Sequence, residues 1–163
     1  AGMEGSRPVL VEIQALLAPS LPGTPRRAVV GWDSARLAMV LAVLEARCGL
    51  ALGAYDVYLN VAGGLRVGEP AADLAVAAAL VSSRLDRPMP SGTVVFGEIG
   101  LGGEVRPVGQ IDQRLKEAEK LGFTDAVIPP LGRSRKVPSG GLRLAPVGHL
   151  SELLERLGKS GPR

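Results

Sequence analysis

The chain has 163 residues, enough for one ordinary domain and too few for two. Hydrophobic residues make up 46% and charged residues 21%, a globular balance, and no run of about 18 apolar residues lacks a charge, so a helical membrane span is excluded. The single cysteine, Cys48, rules out an internal disulfide and points to a reducing, cytoplasmic compartment, and one histidine, His149, leaves no Cys–His zinc site.

The net charge of +3 is unevenly spread. From Leu131 onward there are seven basic residues and two acidic ones, against 12 and 14 before that point. Fifteen of the 19 cations are arginine, which GC-rich coding explains more readily than phosphate recognition.

Residues 1–7 are small and polar and read as a linker, with no basic region followed by an apolar run that would mark a signal peptide. Residues 8–18 are rich in Val, Ile and Leu and predict a strand. Three prolines and a glycine between Pro19 and Pro25 predict a loop, and Arg27–Trp32 a second short strand. Asp33 and Ser34 signal a helix start, Leu37, Val40, Leu41 and Leu44 follow at helical spacing, and Gly49 closes the helix. Cys48, in its last turn, reads as a buried small apolar residue.

Tyr55–Ala62 alternates as a strand does, and Gly63-Gly64 makes a turn. Pro70 suits a first helical position. Ala71–Leu85 is apolar on every side through Val81, the pattern of a buried helix, with Asp73 in the first turn where the helix dipole favours it. Thr93–Leu101 and Glu104–Val108 predict a hairpin around Gly102-Gly103.

Gln110–Leu121 is an amphipathic helix with Ile111, Leu115 and Ala118 inward and Asp112, Arg114, Lys116, Glu117, Glu119 and Lys120 outward. A short strand at 125–129, a basic loop at 131–141, a strand at 143–147 and a helix at 150–157 complete the order. Residues 158–163 form a flexible tail. The fold class is α/β, a mixed α+β sandwich of helices on sheets.

Few motifs offer chemistry. Gly158-Lys159-Ser160 follows a helix instead of opening one, so it is not a phosphate-binding loop. The glycines of residues 97–103 fit a hairpin and match no dinucleotide spacing. His149 reads as a turn residue before the last helix.

Two stretches carry a resemblance. Gly68-Glu-Pro-Ala-Ala-Asp-Leu-Ala-Val-Ala-Ala-Ala-Leu-Val-Ser, together with residues 96–123 (Phe-Gly-Glu-Ile-Gly-Leu-Gly-Gly-Glu-Val-Arg-Pro-Val-Gly-Gln-Ile-Asp onward), resembles the proteolytic domain of the Lon ATP-dependent proteases. The resemblance covers residues 8–157 and implies their fold. On the Lon pattern the catalytic serine falls on Ala71 and the catalytic lysine on Asp112. A Ser-Lys dyad needs a hydroxyl nucleophile and an amine to take its proton, so the resemblance implies a domain without peptidase activity. Ser82 and Ser83 lie about 16 Å along the same helix from Ala71, at about 1.5 Å rise per residue, and are no substitute.

A Lon-like domain that lacks its dyad is similar to the C-terminal domain of the RadA (Sms) family of bacterial DNA repair proteins. Residues 4–16, 25–38 and 60–77 carry that likeness. It implies an excised domain, with a zinc finger, an ATPase core and their zinc, ATP and Mg left to segments N-terminal to it, and no cofactor or metal in this chain. It also implies a role in branched recombination intermediates, as a scaffold in a homo-oligomeric, hexameric ring that helps engage DNA, away from any membrane. Candidate phosphate contacts are Arg133, Arg135 and Lys136 in the basic loop and Arg114, Lys116 and Lys120 on the amphipathic helix. The alternative is a purely structural ring-former whose helix charges are a solvated face, Asp112 pairing with Lys116. Only five aromatic residues, mostly in or beside strands, argue against a single-strand stacking platform, so any DNA contact runs through the backbone without sequence preference.

Overall fold

A computed structural model describes residues 2–4, 7–64, 66–132 and 140–159. Two short strands open the chain, β1 (Gly2–Glu4) and β2 (Arg7–Val9), paired antiparallel. The segment expected to be linker is therefore a hairpin in those residues. Strand pairing is made by the backbone, and small polar side chains do not forbid it.

The first sheet has the order β3-β5-β4, built from β3 (Ile13–Pro19), β4 (Arg27–Val30) and β5 (Tyr55–Val61). β3 runs antiparallel to β5 with Ile13 opposite Val61, while β4 runs parallel to it. The parallel pair is joined by α1 (Ser34–Cys48). Asp33 caps this helix by accepting from the N–H groups of Ala35 and Arg36, and Gly49 ends it in the left-handed conformation at φ 67°, both as the sequence predicts.

Pro70–Ala72 forms a 3-10 turn that leads into α2 (Asp73–Leu85). The second sheet, order β10-β9-β6, contains β6 (Thr93–Val95), β9 (Asp125–Ile128) and β10 (Arg143–Pro146), all parallel. Between β6 and β9 lie a hairpin, β7 (Glu98–Ile99) with β8 (Val105–Arg106), and α3 (Ile111–Lys120). The chain closes with α4 (Leu150–Lys159), which continues two residues beyond the predicted end into the expected tail; 160–163 lie outside the described residues.

The strand predicted over 93–101 is interrupted at Phe96-Gly97. The reason is a close approach. The Gly97 N–H donates to the Ala71 carbonyl at 2.9 Å, and its own carbonyl accepts from Leu74 N–H at 3.0 Å. A Cβ at Gly97 would meet Val105, Leu74 and Pro129 at 3.0 to 3.3 Å. The chain here leaves β6 and caps the turn before α2, then starts the hairpin in a new direction.

Two apolar clusters result. The larger joins α1, α2 and α4 to the inner face of the first sheet, with Leu37, Leu44, Leu59, Leu74, Leu80 and Leu153 fully buried. The smaller packs α3 on the second sheet around Phe96, Ile111, Leu115 and Ile128. α2 is buried along most of its length, as its composition predicts, but Ala75 and Ala79 remain partly exposed.

Asp73 is a fully buried carboxylate. Arg36 of α1 donates to it through Nε and Nη2, both at 2.5 Å, and Ile99 N–H of β7 donates to Oδ2 at 3.1 Å. The carboxylate in turn raises the Arg36 pKa above its ordinary value. Breaking one side of a buried pair leaves a desolvated charge, at about 3–5 kcal/mol. Because Arg36 is itself partly exposed, Arg36→Ala is expected to lower unfolding stability by about 3 kcal/mol in urea denaturation. A loss under about 1 kcal/mol would refute this.

Candidate functional site

The two positions that match the Lon dyad lie on separate elements. Ala71 is buried in the Pro70–Ala72 turn, and its carbonyl is taken by Gly97. Asp112 is exposed in the first turn of α3. Neighbouring residues tie these elements together. Glu69, two residues before Ala71, receives Arg114, two residues after Asp112, in a bidentate pair at 3.0 and 3.1 Å.

Arg114 corrects the sequence reading. It was expected on the outward face as a phosphate contact, but it is 3% exposed. Its Nε donates to the Gly109 carbonyl at 2.9 Å, and its guanidinium lies 5.8 Å from the centre of the Phe96 ring. The planar fork of arginine suits this combination of carboxylate, carbonyl and ring, which lysine cannot supply. A signal was present in the sequence. Position 114 falls on the stripe 111, 114, 115, 118, so it shares the face of the three residues read as inward.

Lys116 and Lys120 are exposed on α3, as expected. They stand among the exposed carboxylates Asp112 and Glu119, so the helix face is close to neutral. Arg133, Arg135 and Lys136 lie outside the described residues. The C-terminal end of their loop is described. Gly141 N–H donates to Glu119 Oε1 at 2.9 Å, and a Cβ at Gly140 would come within 2.7 Å of Glu119 Oε2. The end of the basic loop is thus anchored to the helix that carries the two lysines.

The remaining nucleophile and base candidates have structural roles. His149 Nδ1 accepts Ser151 N–H at 3.1 Å, which assigns the proton to Nε2, 2.9 Å from the Gly102 carbonyl. Ser83 Oγ accepts Leu17 N–H, and Ser82 Oγ donates to the Arg87 carbonyl. Burial pushes the Cys48 thiol above its ordinary pKa, away from the reactive thiolate. No group of three or more His, Cys, Asp or Glu side chains among the described residues is placed to hold a metal ion. No helix among them is long and apolar enough to cross a membrane.

The Glu69–Arg114 pair generates a prediction. Arg114→Ala leaves Glu69 without its bidentate donor and opens space beside Phe96, so a stability loss of about 3 kcal/mol is expected in urea denaturation. Glu69→Gln, which keeps shape and one acceptor, is expected to cost less.

Comparison with known proteins gives two kinds of match. A family model described as subunit ChlI of Mg-chelatase matches residues 18–131, more than two thirds of the chain. Among curated relatives, a protein of Brucella abortus named DNA repair protein RadA is 60% identical over 161 residues, covering 99% of this chain and 34% of the relative. Proteins of the same name from Rickettsia bellii and Aquifex aeolicus are each 49% identical, over 98% and 94% of this chain and 35% and 34% of their own length. The chain spans about a third of the length of these relatives. It belongs to the family that the ChlI model describes, and over nearly its whole length it is a homologue of the proteins named DNA repair protein RadA.

Proposed function

We propose that this chain is the non-proteolytic, Lon-like domain of a DNA repair ATPase, acting as an oligomerisation scaffold and a backbone-contacting DNA surface in the processing of branched recombination intermediates. The observation that carries the reading is 60% identity, over 99% of the chain, to a protein named for DNA repair. ATP, Mg and zinc belong, in this reading, to the two thirds of the relatives' length that this chain does not match. The compartment, in this reading, is the cytoplasm.

The site supports the absence of peptidase chemistry. Ala71 offers no hydroxyl, Asp112 offers no amine, and the surrounding groups are committed to each other: Glu69 to Arg114, Asp73 to Arg36, Gly97 to Ala71. DNA contact is supported by the charge map. Arg133, Arg135 and Lys136 supply the densest cations, and the Glu119–Gly141 bond brings the end of their loop beside Lys116 and Lys120. The scaffold role is supported by the outer face of the first sheet. Leu16, Tyr58 and Val30 form an apolar strip across its three strands, with Leu16 and Val30 each 59% exposed.

Two measurements test the reading. Reversing Arg133, Arg135 and Lys136 to Glu is expected to flatten the log-log salt dependence of DNA affinity by about two to three units, one per lost phosphate contact. Reversing Lys116 and Lys120 should flatten it by about one. Salt-insensitive DNA binding, or none, refutes the DNA role. Separately, Leu16→Lys with Val30→Lys is expected to shift the sedimentation of the self-associated chain toward monomer, and an unchanged distribution removes that face from the scaffold.

A further inference from the structure

A cavity of about 730 Å³ runs between β3 and β6, with α2 as its floor. The floor is a small-residue face, Ala72, Ala75 and Ala79. β3 forms one wall, and it is an edge strand of its sheet. The direction of its backbone groups follows from the pairing. Glu12 C=O accepts from Ala62 N–H, and Ser20 N–H donates to Ala54 C=O. In the antiparallel register this turns the even-numbered residues of β3 toward β5. The N–H and C=O groups of Ile13, Ala15 and Leu17 therefore point the other way, away from the sheet.

The protein satisfies one of these donors itself. Leu17 N–H donates to Ser83 Oγ of α2 at 3.0 Å. Among the described residues no hydrogen bond reaches the outward groups of Ile13 and Ala15, and both residues line the cavity. Two donors and two acceptors, about 7 Å apart along the strand, thus face an apolar space of ligand size. An unpaired strand edge of this kind is a template for a further strand.

Charge narrows the occupant. Glu12 is exposed at the mouth beside Ile13, and the other charged lining residues, Asp86 and Arg87, are opposite in sign and adjacent. The Glu12 end is therefore acidic and disfavours a phosphate backbone. We propose that this cavity binds an extended peptide segment of a partner protein, which adds antiparallel to β3 through four main-chain hydrogen bonds at Ile13 and Ala15. Small or β-branched side chains of the peptide sit over the alanine floor, and a basic residue near its C-terminal end meets Glu12. Close approach to α2 is possible because the floor carries only methyl groups, and antiparallel addition lets each of the two β3 residues exchange both bonds with one peptide residue. The proposal rests on the edge of β3 and stands or falls independently of the DNA reading.

The test uses the chain with the peptide acetyl-Val-Thr-Val-Ala-Lys-amide as probe. Backbone NMR titration is expected to shift the amide signals of Ile13 and Ala15 and slow their hydrogen exchange, with a Kd of about 1 mM or tighter. Ala79→Leu, which fills the floor, should weaken binding at least tenfold, at about 1.4 kcal/mol per tenfold. Glu12→Arg should weaken it severalfold while leaving the fold intact, so the proposal remains testable if the core variant fails to fold. Replacing the probe's lysine with glutamate should have the same effect on the unmutated chain. Absence of shifts at Ile13 and Ala15, or equal binding by both variants, overturns the proposal. So would shifts at these amides that grow with protein concentration alone, which would assign the edge to a second copy of the chain.

Discussion

The buried carboxylate of Asp73 is the constraint on which the arrangement of this domain depends. A charge with no exposure to water is tolerated only when donors surround it, and here they come from α1 and β7. Asp73 opens α2, so its position also benefits from the helix dipole. One side chain thereby specifies where three elements meet. The hairpin after β6 cannot swing away without losing the Ile99 bond, and α1 cannot slide without losing both guanidinium contacts.

Around that point the Pro70–Ala72 turn is held on every side. Gly97 is threaded against it through two backbone bonds, and Glu69 ties it to α3 through Arg114. This is the place where the Lon pattern would carry a nucleophile and its base. The chain has Ala71 and Asp112 there, with polar groups nearby that serve one another. The Asp73–Arg36 and Glu69–Arg114 pairs tie this turn to α1 and α3.

The outer features divide by chemistry. Cations concentrate in the loop ending at Gly141 and on α3, apolar side chains cross the outer face of the first sheet, and an acidic-mouthed cavity opens beside β3. The apolar strip and the cavity meet along β3, where Gln14 and Ala15 border both, and α2 lies against both sheets.

The sequence by itself determined α1 with both caps, the strands β5 and β9, the β7–β8 hairpin and the inward face of α3. All of these depend on signals within one or two turns of chain: periodicity, a capping side chain, a glycine at a turn. Tertiary structure alone decided the rest. It split the strand at Gly97, paired residues 2–4 with 7–9, and buried Arg114 and Asp73 against partners 45 and 37 positions away. The physical reason is that a charged side chain reads as solvated until a distant partner is brought to it: position 114 lies on the inward stripe of α3, but nothing local names Glu69 as the partner that lets an arginine be buried there. The alanine stripe of α2 shows the same limit. Its composition announced burial, but only the packing of two sheets around it left Ala75 and Ala79 lining an open cavity.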